Sequence, residues 1–183
     1  MDPTTLPTDL PVPIDDGAAA HLPGTRLPAL ALAATDGTSV DLSQVPGLLV
    51  VFAYPRTGVP GEPSLVADWD AIPGARGCTP QTCGFRDLHA EFAALGARVF
   101  GLSTQDTSYQ REMVTRLHVP FPVLSDADLA LTRALRLPTF VAAGQTLLCR
   151  MAWIARDGTI ERVFYPVFPP DRNAGEVLAA LRG

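Results

Sequence analysis

Two cysteines separated by four residues, Cys78 and Cys83, lie in the segment Gly-Cys-Thr-Pro-Gln-Thr-Cys over residues 77–83. Thr79 is a good N-cap and Pro80 a good first helical residue, so we predict that a helix begins here. Cys78 then lies at the positive end of the helix dipole, where a thiolate is favoured. Our working hypothesis is that Cys78 is a nucleophile and that Cys83 is its disulfide partner.

A cation that could support this thiolate must come from elsewhere in the chain, and Arg150 is the candidate. It lies within the apolar run Leu147–Ala155, which we interpret as a strand, with Cys149 beside it. A charge in such a strand is costly unless it is paired or functional. The residues alone leave both a structural salt bridge and a role beside Cys78 open. Cys149 is expected to point to the opposite face, as a core cysteine.

The elements that must position these residues alternate between strands and helices. Leu48–Tyr54 is continuously apolar and predicts a central strand that is buried on both faces. A small hairpin precedes it, and a helix, a strand, a second helix and a short strand follow in that order from the cysteines onward. The order ends with a further helix, a terminal β-hairpin and a last helix, Arg172–Leu181. This order predicts an α/β thioredoxin-like fold, a central mixed β-sheet flanked by helices with an N-terminal β-hairpin.

Two segments stand outside this pattern. Residues 1–24 are proline-rich and aperiodic and are interpreted as a disordered tail before a domain over 25–183. Residues 56–77 form a long loop between the central strand and the cysteine helix, with a possible short helix over Ser64–Ile72. Such a loop could be a lid or pocket wall, or a passive surface insertion.

The composition narrows the function. A net charge of −5 leaves no basic footprint for nucleic acid, and no apolar run reaches the ~20 residues that span a bilayer. Three cysteines are too few for a secreted disulfide scaffold and favour a cytoplasmic protein with thiol chemistry. Without a second ligand pair, a zinc site is not expected, and no cofactor is implied.

Several motifs together make the chain resemble a peroxiredoxin of the Q subfamily, the bacterioferritin comigratory proteins, from about Leu27 to the C-terminus. They are Phe-Ala-Tyr-Pro at 52–55, Gly-Cys-Thr-Pro-Gln-Thr-Cys-Gly-Phe-Arg-Asp at 77–87, Gly-Leu-Ser-Thr at 101–104, Pro-Val-Leu-Ser-Asp at 122–126, Cys-Arg at 149–150 and Arg-Asp-Gly at 156–158. The resemblance implies a thiol peroxidase for hydrogen peroxide and organic hydroperoxides, reduced by thioredoxin or a glutaredoxin-type protein. It also implies a monomer, since relatives of this type are often monomeric.

The resemblance assigns roles to three residues. Cys78 is expected to attack the peroxide and become a sulfenic acid, and Cys83 to resolve it as an intramolecular disulfide. Arg150 is expected to stabilise the thiolate and the leaving oxygen. Pro55 and Thr79 are expected at the substrate pocket.

One departure from the family pattern is clear. Counting back from Cys78 places Ala75 where the family has a threonine and Ala71 where it has a proline. Pro55 keeps the proline at the strand end, but the long loop separates it from Cys78. Thr57, or a loop group such as Asp70, is the candidate for the hydrogen bond that the missing threonine would make.

The cysteine spacing carries a mechanical prediction of its own. On a formed helix the Cα atoms of Cys78 and Cys83 lie about 8–9 Å apart, whereas a disulfide needs roughly 4.4–6.8 Å. The first turns must therefore unfold before the bond closes, over roughly Cys78–Gly84. Gly84 weakens the helix interior by ~1 kcal/mol relative to alanine.

Two other functions remain open at this stage. A thiol–disulfide oxidoreductase would also use a cysteine at a helix start, although the usual spacing there is C-x-x-C. A degenerate thioredoxin-like binding module is the non-enzymatic alternative, and the missing threonine motivates it.

Overall fold

A computed structural model describes residues 6–183 and contains nine strands and five α-helices within that range. The strands are β1 (Ala31–Ala34), β2 (Ser39–Asp41), β3 (Leu48–Ala53), β4 (Ala97–Ser103), β5 (Val123–Ser125), β6 (Thr139–Ala142), β7 (Gln145–Leu148), β8 (Met151–Arg156) and β9 (Thr159–Phe164). The helices are α1 (Cys78–Asp87), α2 (His89–Ala94), α3 (Thr107–Leu117), α4 (Ala130–Leu135) and α5 (Asn173–Arg182).

The main sheet has seven strands in the order β2-β1-β5-β4-β3-β8-β9. β4 pairs in parallel with both β3 and β5, and β8 pairs antiparallel with β3, so the sheet is mixed. Every residue of β3 is buried, as its continuous run of apolar side chains predicts. Among the described residues, no helix is both long and apolar enough to cross a bilayer.

A hydrophobic core lies on each face of this sheet, and β3 contributes to both. Leu49 and Val51 belong to the core that includes α4 and the segment before β1. Val50 and Phe52 belong to the core that includes α1, α2, α3 and α5. Phe85 of α1 stacks on Phe52 with ring centroids 4.3 Å apart, which fixes α1 over the carboxyl half of the central strand.

The structure corrects two predicted elements. The apolar run Leu147–Ala155 is not one strand: β7 ends at Leu148, β8 begins at Met151, and Cys149 and Arg150 lie at the junction. β7 pairs with β6 in a separate two-stranded sheet, which the sequence did not predict. The helix predicted to begin at the cysteine segment is expected to run from Thr79 to Leu95, but the structure divides this range into α1 and α2 at Leu88, whose ψ of 9° is not helical.

The segment before β1 is also ordered where it is described, which is contrary to the prediction of a disordered tail over residues 1–24. Ala19 and Leu22 are buried in the core, with Leu22 fully enclosed. The His21 ring bonds to the Leu135 carbonyl at 2.8 Å, and Tyr165 donates to the Asp16 carboxylate. Burial of two apolar side chains offsets the entropy that a proline-rich segment loses on docking. Residues 1–5 of the predicted tail lie outside the described residues.

Candidate active site

Cys78 is the first residue of α1, at the carboxyl edge of the central sheet. Helix α1 begins at Cys78, so its N-cap is Gly77 and not Thr79 as predicted. The φ angle of Gly77 is +108°, a conformation that favours glycine. A Cβ built on Gly77 would lie 2.3 Å from Pro170 Cγ, so a larger residue would also displace the turn before α5. The φ angle of Gly77 and its contact with Pro170 therefore both fix the start of α1. Cys78, the first residue of the helix, is 4% exposed.

Arg150 reaches Cys78 from the junction of β7 and β8. Its Nη2 atom lies 3.2 Å from Cys78 Sγ and also donates to the carbonyls of Ala75 at 3.0 Å and Arg76 at 3.1 Å. Its Nε atom donates to the carbonyl of Gly74 at 3.2 Å. The guanidinium thus holds the turn before α1 and contacts the sulfur at the same time.

A pair of buried amides holds the other side of the guanidinium. Arg150 Nη1 donates to Gln81 Oε1, and Gln81 Nε2 donates to Asn173 Oδ1 at 2.9 Å. Gln81 and Asn173 are both fully buried, so these bonds do not compete with water. The chain from α5 through α1 to Arg150 fixes the orientation of the cation.

The electrostatics of this arrangement favour an anion at Cys78. Arg150 is 3% exposed, and within residues 6–183 it forms no ion pair with an acidic side chain. A buried cation without a counter-ion is costly, and Cys78 Sγ lies 3.2 Å from this cation. The helix dipole of α1 acts in the same direction.

Tyr54 lies in the same hydrophobic cluster as Cys78, directly after β3. Its hydroxyl is buried and has no hydrogen-bond partner among the described residues. Burial raises the pKa of the Tyr54 phenol. Tyr54 is therefore a neutral phenol in the same cluster as Cys78.

A cavity of about 730 Å³ opens over Cys78. The loop over residues 56–77 forms much of its wall, which agrees with the pocket-wall interpretation of that loop. The helix predicted over Ser64–Ile72 is reduced to one 3₁₀ turn, Trp69–Ala71, with Asp68 before it. Thr79 lines the cavity as expected, whereas Pro55 is buried and is not part of the lining.

The two candidates for the missing threonine are both engaged elsewhere. The Thr57 hydroxyl donates to Gln105 Oε1 at 3.2 Å, and Gln105 Nε2 donates back to the Thr57 carbonyl. Asp70 Oδ1 lies 3.6 Å from Arg76 Nη1, as an ion pair without a hydrogen bond. Both residues line the cavity, but their described bonds do not point to the sulfur. At Ala75 it is the carbonyl that lies near Cys78, 3.6 Å from Sγ.

The two remaining cysteines are unpaired thiols, as is Cys78. Cys83 lies on the formed helix α1 and is half-buried, and burial raises the pKa of its thiol. Cys149 is half-buried rather than enclosed in the core, and burial raises its pKa to about 11. Because Cys149 lies at the junction of β7 and β8, the expected alternation of strand faces does not describe it.

Three residues of the site were missed by the sequence reasoning: Gln81, Asn173 and Tyr54. Gln81 had a usable signal, since it is three residues after Cys78 on one helix and so shares its face. Asn173 had none, because its contact with α1 joins distant parts of the chain. Within residues 6–183 no cluster of side chains is suited to hold a metal ion.

Fold and site together define the class: a thioredoxin-like α/β protein with a buried cysteine at a helix start and an arginine on its sulfur. The redoxin family model matches residues 22–178, and the chain belongs to that family, in which it groups with the Q-type peroxiredoxins.

Individual relatives agree with that assignment. The chain is 29% identical to peroxiredoxin Q of Oryza sativa over 161 residues, which covers 87% of this chain and 66% of that one, just under two thirds of the relative's length. The structure of peroxidoxin BcpB from Mycobacterium tuberculosis matches with a TM-score of 0.70 at 27% identity, covering 87% of this chain and 96% of the other. Peroxiredoxin Q of Xanthomonas campestris shares the fold, with a TM-score of 0.66 at 24% identity and coverage of 96% and 98%. The predicted family and fold are thereby confirmed.

Proposed function

We propose that the protein is a thiol-dependent peroxidase. The Cys78 thiolate attacks the terminal oxygen of a hydroperoxide, the S–O bond forms and the O–O bond breaks. The second oxygen leaves as an alkoxide or hydroxide and takes a proton to become an alcohol or water. Sulfur is oxidised to a sulfenic acid by the two electrons that the peroxide gains.

The contact between Arg150 and Cys78 is the observation that carries this proposal. A guanidinium 3.2 Å from Sγ, without an acidic partner among the described side chains, stabilises a thiolate before the reaction. We expect the same guanidinium to stabilise the charge that develops on the leaving oxygen. Stabilisation of that charge is where a fixed cation contributes most to the rate.

Cys83 resolves the sulfenic acid in the next step of the proposed cycle. Its thiol attacks Cys78 sulfur, a disulfide forms and the hydroxyl leaves as water. Since both residues lie on α1, the helix must unfold over its first turns for the sulfurs to meet. Unfolding also removes the burial that raises the pKa of Cys83, so its thiolate becomes more available.

A dithiol protein of the thioredoxin or glutaredoxin type then supplies two electrons and restores both thiols. The family supports this partner, and hydrogen peroxide and organic hydroperoxides are the proposed substrates. The Xanthomonas campestris bacterioferritin comigratory protein, which shares the fold at 23% identity, has alkyl peroxide reduction activity.

Turnover with a coupled reductant tests the proposal. We expect peroxide-dependent NADPH oxidation in the presence of thioredoxin and its reductase, and complete loss in Cys78→Ser. Cys83→Ser should still react once with peroxide but should not recycle normally. Activity that survives Cys78→Ser would refute the assignment.

We further propose a cytoplasmic monomer. The cysteine content supports the compartment: two of the three cysteines belong to the proposed cycle, which needs a reducing partner, and the third is an unpaired thiol. The proposed disulfide joins two cysteines of one chain, so the cycle needs no second copy of the protein. Sedimentation of the reduced and oxidised protein tests the oligomeric state, and a dimer in either state would contradict it.

A further inference from the structure

The cavity over Cys78 is much larger than hydrogen peroxide requires. A water molecule takes about 30 Å³ of liquid volume, and hydrogen peroxide is only slightly larger. The cavity measures about 730 Å³, within the range of roughly 300–1,000 Å³ that is typical of sites for organic molecules. Its size therefore points to a substrate with a large group attached to the peroxide.

The loop over residues 56–77 gives this cavity an apolar wall. Val59, Pro60, Leu65 and Trp69 line it, and the Tyr109 ring of α3 is a further part of the lining. Apolar and aromatic side chains of this kind bind the hydrocarbon part of a ligand by removing it from water.

The wall is fixed to the body of the protein. Trp69 is 8% exposed and packs in a cluster with Ala75, Ala142 and Leu147, so β6 and β7 support the loop from outside. The centroid of the Trp69 ring lies 6.3 Å from the centroid of the Phe140 ring, and Phe140 belongs to β6, as Ala142 does. Ala75, at the position where the family resemblance places a threonine, is part of this cluster under the wall. The cavity is formed before substrate binds.

The charges that line the cavity cancel. Arg76 is paired with Asp70 at 3.6 Å. Arg56 lies over the Tyr109 ring, 4.7 Å from its centroid, and Glu62 is exposed at the surface. With two cations and two anions, the lining does not select a charged group.

Resting on the peroxidase function above, we propose that the preferred substrate is an organic hydroperoxide with a bulky, uncharged apolar group. That group lies against Leu65 and Trp69, while the terminal oxygen meets Cys78. The Cys78 thiolate takes that oxygen, the O–O bond breaks and the apolar alcohol leaves after gaining a proton. The loop is thus a specificity-determining element of this chain.

The test is the single-turnover oxidation of Cys78 by cumene hydroperoxide and by hydrogen peroxide, which needs no reductant. We expect a rate constant at least about tenfold higher for cumene hydroperoxide. Ser64 is exposed and lines the cavity, so Ser64→Trp fills it and should lower the ratio of the cumene hydroperoxide rate to the hydrogen peroxide rate about tenfold. Ala67→Trp adds the same bulk to an exposed residue of the loop that does not line the cavity, and should change neither rate.

A second variant, Leu65→Ala, removes part of the apolar wall and should also slow cumene hydroperoxide selectively. The proposal is overturned if hydrogen peroxide reacts as fast as cumene hydroperoxide in the wild type. It is also overturned if Ser64→Trp and Leu65→Ala leave the ratio of the two rates unchanged. The peroxidase function fails separately, if neither peroxide oxidises Cys78.

Discussion

Arg150 contacts both the backbone before α1 and the sulfur of Cys78, so its replacement should strongly reduce the rate of Cys78 oxidation. It binds the turn before α1 through three carbonyls and contacts Cys78 Sγ at 3.2 Å. Arg150→Lys keeps the charge but loses the planar fork of donors, so the cation cannot hold the turn and the sulfur together. We expect the rate of Cys78 oxidation by peroxide to fall at least about 100-fold, measured by stopped-flow single turnover.

Arg76→Lys is the matched control for that change. Arg76 also lines the cavity, but it pairs with Asp70 and its side chain is 20% exposed. We expect a rate within about threefold of the wild type, since this ion pair is long and partly exposed to water, and such pairs contribute little. An Arg150→Lys protein that is folded by circular dichroism and reacts at the rate of the control would contradict the role of Arg150.

Cys149 should be unreactive at neutral pH. Burial raises the pKa of its thiol to about 11, so the neutral thiol is the dominant form below that pH and the thiolate decreases tenfold with each unit of falling pH. At pH 8 we expect alkylation by iodoacetamide to be about 100-fold slower than for an exposed thiol. The rate should increase up to about pH 11, and mass spectrometry of the Cys149 peptide measures it.

The unfolded protein provides the reference for Cys149. In guanidinium chloride the pH profile should move to the ordinary cysteine range near 8.5. An identical profile in folded and unfolded protein would show that burial does not protect this thiol.

For single residues, the sequence was informative where the residue type is unusual for its surroundings in the chain. A cysteine at a helix start and an arginine in an apolar run are both conspicuous, and the structure brings Cys78 and Arg150 together. Gln81 and Asn173 are ordinary polar residues whose burial depends on the complete fold. The catalytic roles themselves remain predictions for the experiments above.

Helix α1 must be stable enough to hold Cys78 under Arg150 and weak enough to release it to Cys83. In the structure both cysteines lie on a formed helix, so closure of the disulfide requires the helix to open. We expect amide hydrogen exchange to show loss of protection over roughly residues 78–84 on oxidation by one equivalent of peroxide.

Oxidised Cys83→Ser is the control for this change, because its sulfenic acid has no partner on the helix. It should keep the protection of the reduced protein. A wild-type protein that forms the Cys78–Cys83 bond and keeps residues 78–84 protected would show that the helix does not have to unfold.

Elements with a single clear pattern were predictable, and junctions were not. The continuous apolar run over Leu48–Tyr54 identified the central strand, and the hairpin and last helix were also found. The run Leu147–Ala155 is apolar on both sides of Cys149 and Arg150, so its hydrophobic pattern does not separate the end of β7 from the start of β8. Which sheet a strand joins depends on partners far along the chain, here β6 for β7 and β3 for β8.

For the whole molecule, the segment before β1 is part of the folded domain. Leu22 is fully buried in the core on the α4 face, so we expect Leu22→Ala to lower the free energy of unfolding by about 2–4 kcal/mol. Denaturant unfolding measures the change. Ile14→Ala is the control from the same segment, since Ile14 is 86% exposed and should change stability by less than about 0.5 kcal/mol.

Equal effects of Leu22→Ala and Ile14→Ala would contradict the docking of this segment. The composition of the segment before β1 led to the wrong prediction for a physical reason. Prolines and acids indicate a chain that cannot form a core by itself, but Ala19 and Leu22 join a core that the rest of the domain provides. The fold class was accessible from the order of strands and helices, whereas this docking is a long-range contact without a local signal.

The central claim is that Cys78 is the residue that reacts with peroxide and that Cys83 resolves it. Mass spectrometry of the wild-type protein after one equivalent of hydroperoxide tests this most directly. The account predicts the loss of two hydrogens from the intact mass, a Cys78–Cys83 link in the peptide map and a free Cys149 thiol that is alkylated once the protein is unfolded in guanidinium chloride. A protein that consumes the peroxide while Cys78 remains a free thiol, or that links Cys149 instead, would contradict it.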